Sequence, residues 1–124
     1  MTTQFLLLNS PLGATTTIKI KWCDTFFSKL RGFTFRSGLK KDEGLILVEK
    51  RESAINTSIH MMFVFTDLAV FWLDANLKVV HKTIAKPWRP FYASSTPAQF
   101  VLELHPDLIT TIEVGDTLQL THEN

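Results

Sequence analysis

The chain has 124 residues, 45% of them hydrophobic and 20% charged, with a formal net charge of +1. That length makes one domain, residues 1–124, with enough surface to bury for a core that needs no covalent staples. The near-neutral balance argues against nucleic acid held by the overall field. Cys23 is the only cysteine, so an intramolecular disulfide and a zinc site of several thiolates are excluded.

Phe5 to Leu8 reads as a short strand or arm, and Asn9-Ser10-Pro11-Leu12-Gly13 ends it. From Thr15 to Trp22 the residues alternate, with Ile18, Ile20 and Trp22 on one face and Lys19 and Lys21 on the other, as in a half-buried strand. Asp24 can cap a short helix over 24–31, with Phe26, Phe27 and Leu30 on one side and Gly32 just past its end. After a polar loop, Leu45 to Val48 is a continuous apolar run, expected as a strand buried on both faces. Glu49 to Ser53 reads as a charged turn.

Ile59 to Phe65 and Leu68 to Leu73 read as two apolar strands joined around Thr66-Asp67. Asp74-Ala75-Asn76 is a hairpin signal, and the chain returns as a β-rich run from Leu77 to Ala85. Two prolines forbid regular structure over Lys86 to Tyr92. Ala98 to Leu104 reads as a strand, Pro106 to Thr110 as a helical turn, and Thr117 to Thr121 as the last strand. About seven strands and one short helix, without strand–helix alternation, point to a mainly β fold. The expected form is a small antiparallel sandwich or barrel, jelly-roll-like.

Several blocks resemble one family. Gly32-Phe33-Thr34-Phe35-Arg36 is similar to a Gly-Leu-Met-Phe-Arg motif that follows a helix, and Gly44-Leu45-Ile46-Leu47-Val48 to a Gly-Met-Leu-Phe segment. Ile59-His60-Met61, Phe71-Trp72-Leu73-Asp74, Val101-Leu102-Glu103-Leu104 and Gly115-Asp116 follow in the family's order. Over about residues 15 to 121 the chain resembles the prokaryotic domain of unknown function 192 family. The resemblance implies a small β domain of sandwich character with no assigned activity. Many members carry an aspartate where this chain has Ala69, which weakens any catalytic scheme built on that carboxylate; Asp67 falls on the same strand face.

Four segments could carry chemistry. Arg36 and Arg31 flank Gly32 and offer guanidinium forks suited to phosphate or carboxylate, or to pinning a loop onto Glu103. His60 sits in an apolar run, and with Glu103 or Asp67 it could form a base–orienter pair. Lys86 to Tyr92 offers flat rings at Trp88, Phe91 and Tyr92 beside the charges of Lys86 and Arg89, a stacking arrangement suited to ring-bearing ligands. Each also has a plain structural reading: strap, plug or local ion pair.

Phosphate-loop, dinucleotide and nucleophile-elbow motifs are absent, and no histidine spacing indicates a metal. No cofactor is therefore expected. The leading expectation is a module binding an anionic or ring-bearing small molecule through Arg36, His60, Trp88, Arg89 and Tyr92. The alternatives are a small hydrolase or isomerase using His60 with a carboxylate, and a structural or assembly protein, monomer or homodimer. With no secretory leader and no apolar run of transmembrane length, the expected location is cytoplasmic and off the membrane.

Overall fold

The computed structural model describes residues 4–8, 18–25, 29, 32 and 39–122, with 4–8 and 121–122 described by backbone alone. Among the described residues, seven strands form one sheet: β1 (Gln4–Leu8), β2 (Ile18–Cys23), β3 (Glu43–Ser53), β4 (Leu68–Leu73), β5 (Val79–Ala85), β6 (Ala98–Leu104) and β7 (Gln119–His122). Their order is β5-β4-β6-β3-β2-β1-β7. All neighbours are antiparallel except β2 and β3, which run parallel. That pair departs from the expected all-antiparallel pattern. The expected helix over 24–31 lies mostly outside the described residues; within them, the Lys29 N–H donates to the Thr25 carbonyl at 3.0 Å, an α-helical bond.

The ladder is open, so the sheet is not a closed barrel, but its two ends meet at one corner. There the Val79 N–H donates to the Asp116 carbonyl at 2.8 Å, Gly115 N–H to Val79 at 2.8 Å, and Leu118 N–H to Leu77 at 2.9 Å. The curl encloses a first core of Ile18, Ile20, Ile46, Ala69, Phe71, Leu73, Leu102, Leu104, Ile112 and Leu118. A 3₁₀ turn (Pro106–Thr110) packs on it, and Lys82 Nζ caps the carbonyls of Ile109 and Ile112 at 2.8 and 3.2 Å.

The opposite sheet face carries a second core: Cys23, Leu45, Leu68, Val70, Trp72, Ala85, Ala98 and Val101, covered by Ile59, Met61 and Val64. Strand β4 is therefore apolar and buried at every position, as a central strand with two covered faces must be. The structure corrects two expectations here. Glu49 to Ser53 continues β3 rather than turning, and Ile59 to Phe65 is not a strand beyond one bridge between Ile59 and Tyr92. That run is apolar because it lies across the second core, where a covering segment needs buried side chains but no ladder of its own.

Gly44 shows how tightly β2, β3 and β6 meet. A Cβ built there would stand against the Leu104 side chain, 2.8 Å from the Glu103 carbonyl and 3.1 Å from Ile20 Cδ1. A backbone carbonyl in mid-sheet cannot retreat as a side chain can. Gly44→Ala is expected to destabilise the fold by about 2 kcal/mol or more, read as a lower denaturation midpoint in urea at unchanged slope. An unchanged midpoint would contradict this packing.

Candidate functional site

Two tight turns over the second core build the most unusual surface among the described residues. In the first, the Val64 N–H donates to the Met61 carbonyl at 3.2 Å, and Phe63 in the third position has φ +63°. In the second, the Arg89 N–H reaches the Lys86 carbonyl at 3.5 Å, with Pro87 in the second position and Trp88 in the third at φ +67°. Negative φ followed by positive φ defines a type II turn, whose third position favours glycine. Here both third positions hold large aromatic residues, a backbone cost of about 1 kcal/mol or more each.

The turns are laced together. Met61 N–H donates to the Arg89 carbonyl at 2.8 Å, and the Met61 carbonyl accepts from Trp88 N–H at 2.7 Å. Ile59 and Tyr92 exchange two backbone bonds at 2.8 and 2.9 Å, and the Lys86 N–H donates to the Tyr92 hydroxyl at 2.8 Å. Lys86 Nζ pairs with Asp67 Oδ2 at 2.9 Å. The outcome is a pair of rings in edge contact, Phe63 and Trp88, with centroids 5.0 Å apart; Phe65 stands 5.7 Å from Trp88 on another side. All three rings remain 44–46% exposed, with Met62 and Phe91 also exposed.

Of the residues expected to bind, His60, Trp88, Arg89 and Tyr92 are therefore brought into one laced unit. Trp88 and Arg89 face solvent, whereas Tyr92 is half-buried and serves the lacing. Arg36 lies outside the described residues. His60 is half-buried, and its Nδ1 accepts from the Met62 N–H at 3.2 Å, a bond that shapes the first turn. Asp67 is committed to Lys86. Phe63 and Phe65 belong to the platform although their run reads as strand; a signal was present, since five apolar residues from Met61 to Phe65 lack the alternation of a half-exposed strand.

Glu103 is a buried strand residue. It sits in β6 between Leu45 of β3 and Val70 of β4, on the second-core face, 6% exposed. Burial alone pushes its carboxyl from the ordinary 4.5 up to about 7. On the same face the Cys23 thiol is pushed up to about 11, first by burial, which leaves it a poor nucleophile. Among the described residues no three His, Cys, Asp or Glu side chains are grouped to hold a metal ion, and no helix is long and apolar enough to cross a membrane.

The fold and sequence together define a family. The model of the DUF192 family, described as "Uncharacterized ACR", matches residues 8–120. The chain belongs to that family. It is 35% identical over 118 residues to a UPF0127 protein of Thermococcus kodakarensis, covering 94% of this chain and 73% of that protein. To a UPF0127 protein of Pyrococcus furiosus it is 35% identical over 115 residues, covering 91% and 96%. A solved structure from Sinorhizobium meliloti, described as that of a proposed transcription regulator, superposes with a TM-score of 0.84 at 16% identity, over 97% of this chain and 94% of the other. A protein of unknown function from Novosphingobium aromaticivorans gives 0.79 at 17% identity, over 95% and 84%. These last two show the fold.

Two outcomes follow from this geometry. Because the raised carboxyl of Glu103 holds its proton more tightly folded than unfolded, its contribution is full below about pH 4.5 and is lost as pH rises through about 7. Glu103→Gln should gain on the wild type by roughly 2–3 kcal/mol between about pH 5 and about pH 8 in denaturant titrations; parallel pH profiles would contradict the burial of a protonatable carboxyl. Separately, Trp88→Gly should be more stable than Trp88→Ala by about 1 kcal/mol, since glycine relieves the positive φ and alanine does not. The reverse ranking by the same assay would remove the strain.

Proposed function

We propose that this chain is a one-domain binding module whose site is the platform of Trp88, Phe63 and Phe65, with Arg89 at its border. Its ligand is a ring-bearing small molecule, and an anionic group on that molecule is met by the exposed Arg89 guanidinium. The carrying observation is the pair of exposed aromatic side chains at two type II turn positions that favour glycine. A turn needed only to cross the second core would be cheaper with glycine at both. Strain of this kind is retained where the side chain has a task.

The chemistry matches the reading. Indole and phenyl faces stack on planar rings or on the apolar face of a sugar, at about 1–3 kcal/mol per stacked ring. The laced backbone and Pro87 hold the rings in place before a ligand arrives, which lowers the entropy lost on docking. Arg89 has no side-chain partner among the described residues, so an anion would not displace an existing ion pair. A hydrolase or isomerase using His60 draws less support: its ring accepts from a backbone N–H, and its bond lies within its own turn.

A thermal-shift screen of nucleotides, sugars and sugar phosphates tests the reading. At least one ring-bearing compound should raise the melting temperature of the wild type, and that compound's shift should shrink in both Trp88→Ala and Arg89→Ala. No shift from any compound, or equal shifts in wild type and Trp88→Ala, would overturn it.

A further inference from the structure

A second concavity lies away from the platform, where β3 leaves its partner. The β3–β6 ladder pairs Val48 with Phe100 and resumes only at Ser53 with Ala98, so Glu49, Lys50, Arg51 and Glu52 stand against Gln99 alone. Bulges of this size bend a strand and re-aim its side chains, and they recur beside sites. The bulge is fixed rather than loose. Gln99 Nε2 donates to the Glu49 carbonyl at 3.1 Å, and Lys29 Nζ reaches the Val48 carbonyl at 3.3 Å and Glu49 Oε2 at 2.6 Å. Glu52 turns away to accept from the Ala75 N–H at 2.9 Å.

Between this bulge and the end of β2 opens a groove of about 570 Å³ lined by Trp22, Asp24, Lys29, Val48, Glu49, Lys50, Arg51 and Asn56. That volume is within the range of small-molecule sites. Its charges sort into two kinds. Lys29 and Glu49 neutralise each other at 2.6 Å. Lys50, Arg51 and Asp24 are exposed and have no ion-pair partner among the described residues. Trp22 supplies a half-buried flat wall, tilted 53° against Phe100 at 6.2 Å, so the indole is braced from the first-core side.

We propose that this groove is a second binding site, independent of the platform, for a small molecule that joins a flat ring to an anionic group. The anion is met by Arg51 and Lys50, the ring lies against Trp22, and Asp24 accepts from an N–H or O–H donor on the ring or its attached sugar. Asp24 makes the site selective: it disfavours a bare polyanion and favours a molecule with charge at one end and donors at the other. Mononucleotides have that chemistry. The bulge costs β3 part of its ladder, and an exposed Arg51 beside an indole is what that interruption produces.

The test is a titration of the ¹⁵N-labelled full chain with adenosine 5′-monophosphate, with inorganic phosphate and adenosine as separate arms. The expected result is movement of the Trp22 indole N–H and of the Lys50, Arg51 and Asn56 amides. Each separate arm should bind about tenfold more weakly or worse, and Arg51→Glu should weaken the mononucleotide about tenfold. Trp88→Ala should leave this titration unchanged, which separates it from the platform. Lys50→Glu, a surface change on the same wall, repeats the test should Arg51→Glu disturb the fold. Unmoved groove resonances, wild-type affinity in both charge-reversal variants, or phosphate alone binding as tightly as the mononucleotide would overturn the proposal.

Discussion

Burial of both faces of β4 is the constraint from which the rest follows. A strand reading Leu-Ala-Val-Phe-Trp-Leu with no position open to water needs apolar cover above and below. The sheet supplies one cover by curling on itself around Phe71 and Leu73. The other has to come from chain that is not in the sheet, and residues 54–67 and 86–97 provide it. Trp72 marks the join: its Nε1 donates to the Thr57 carbonyl at 2.8 Å, so the largest buried side chain is satisfied by the covering segment itself.

A cover made of two irregular segments must satisfy its own backbone without a sheet. It does so by lacing one segment to the other at Ile59, Met61, Trp88 and Tyr92, which requires two tight reversals. The reversals put Phe63 and Trp88 at the outer surface while Met61 and Val64 point into the core. One geometric demand thus produces both the inner apolar lining and the outer aromatic platform. Glu103 belongs to the same demand from below, since a carboxyl facing a covered sheet has lost its water and keeps its proton to a higher pH than an exposed one.

Much of this is written locally in the chain. Leu68 to Leu73 and Ala98 to Leu104 agree with their strands at both ends, and the alternation of Ile18, Ile20 and Trp22 lies in a strand that runs one residue further, to Cys23, while residues 15–17 lie outside the described residues. Pro106 to Thr110 forms the expected turn because Pro106 starts it and the His105 ring accepts from the Asp107 N–H. What local pattern does not contain is partnership. Ile59 to Phe65 has the composition of a strand, and only its position over Leu68, Val70 and Trp72 makes it a cover. Glu49 to Ser53 has the composition of a turn, and the ladder to β6 holds it extended.

The site was legible to the same degree. Lys86 to Tyr92 announces a rigid loop through its two prolines, and its rings through their spacing, but nothing in it names Phe63 as the partner of Trp88. Positive φ at both residues is a tertiary consequence, invisible to a reading that would expect glycine there. The groove at Arg51 depends on a ladder interruption that pairs residues fifty apart.

Native-state hydrogen exchange tests the covering lattice most directly. If the two irregular segments are locked as one unit over β4, the amides of Ile59, Met61, Trp88 and Tyr92 should exchange nearly as slowly as those of β4, despite lying outside every strand. Exchange at the rate of open loops, with β4 still protected, would contradict the account.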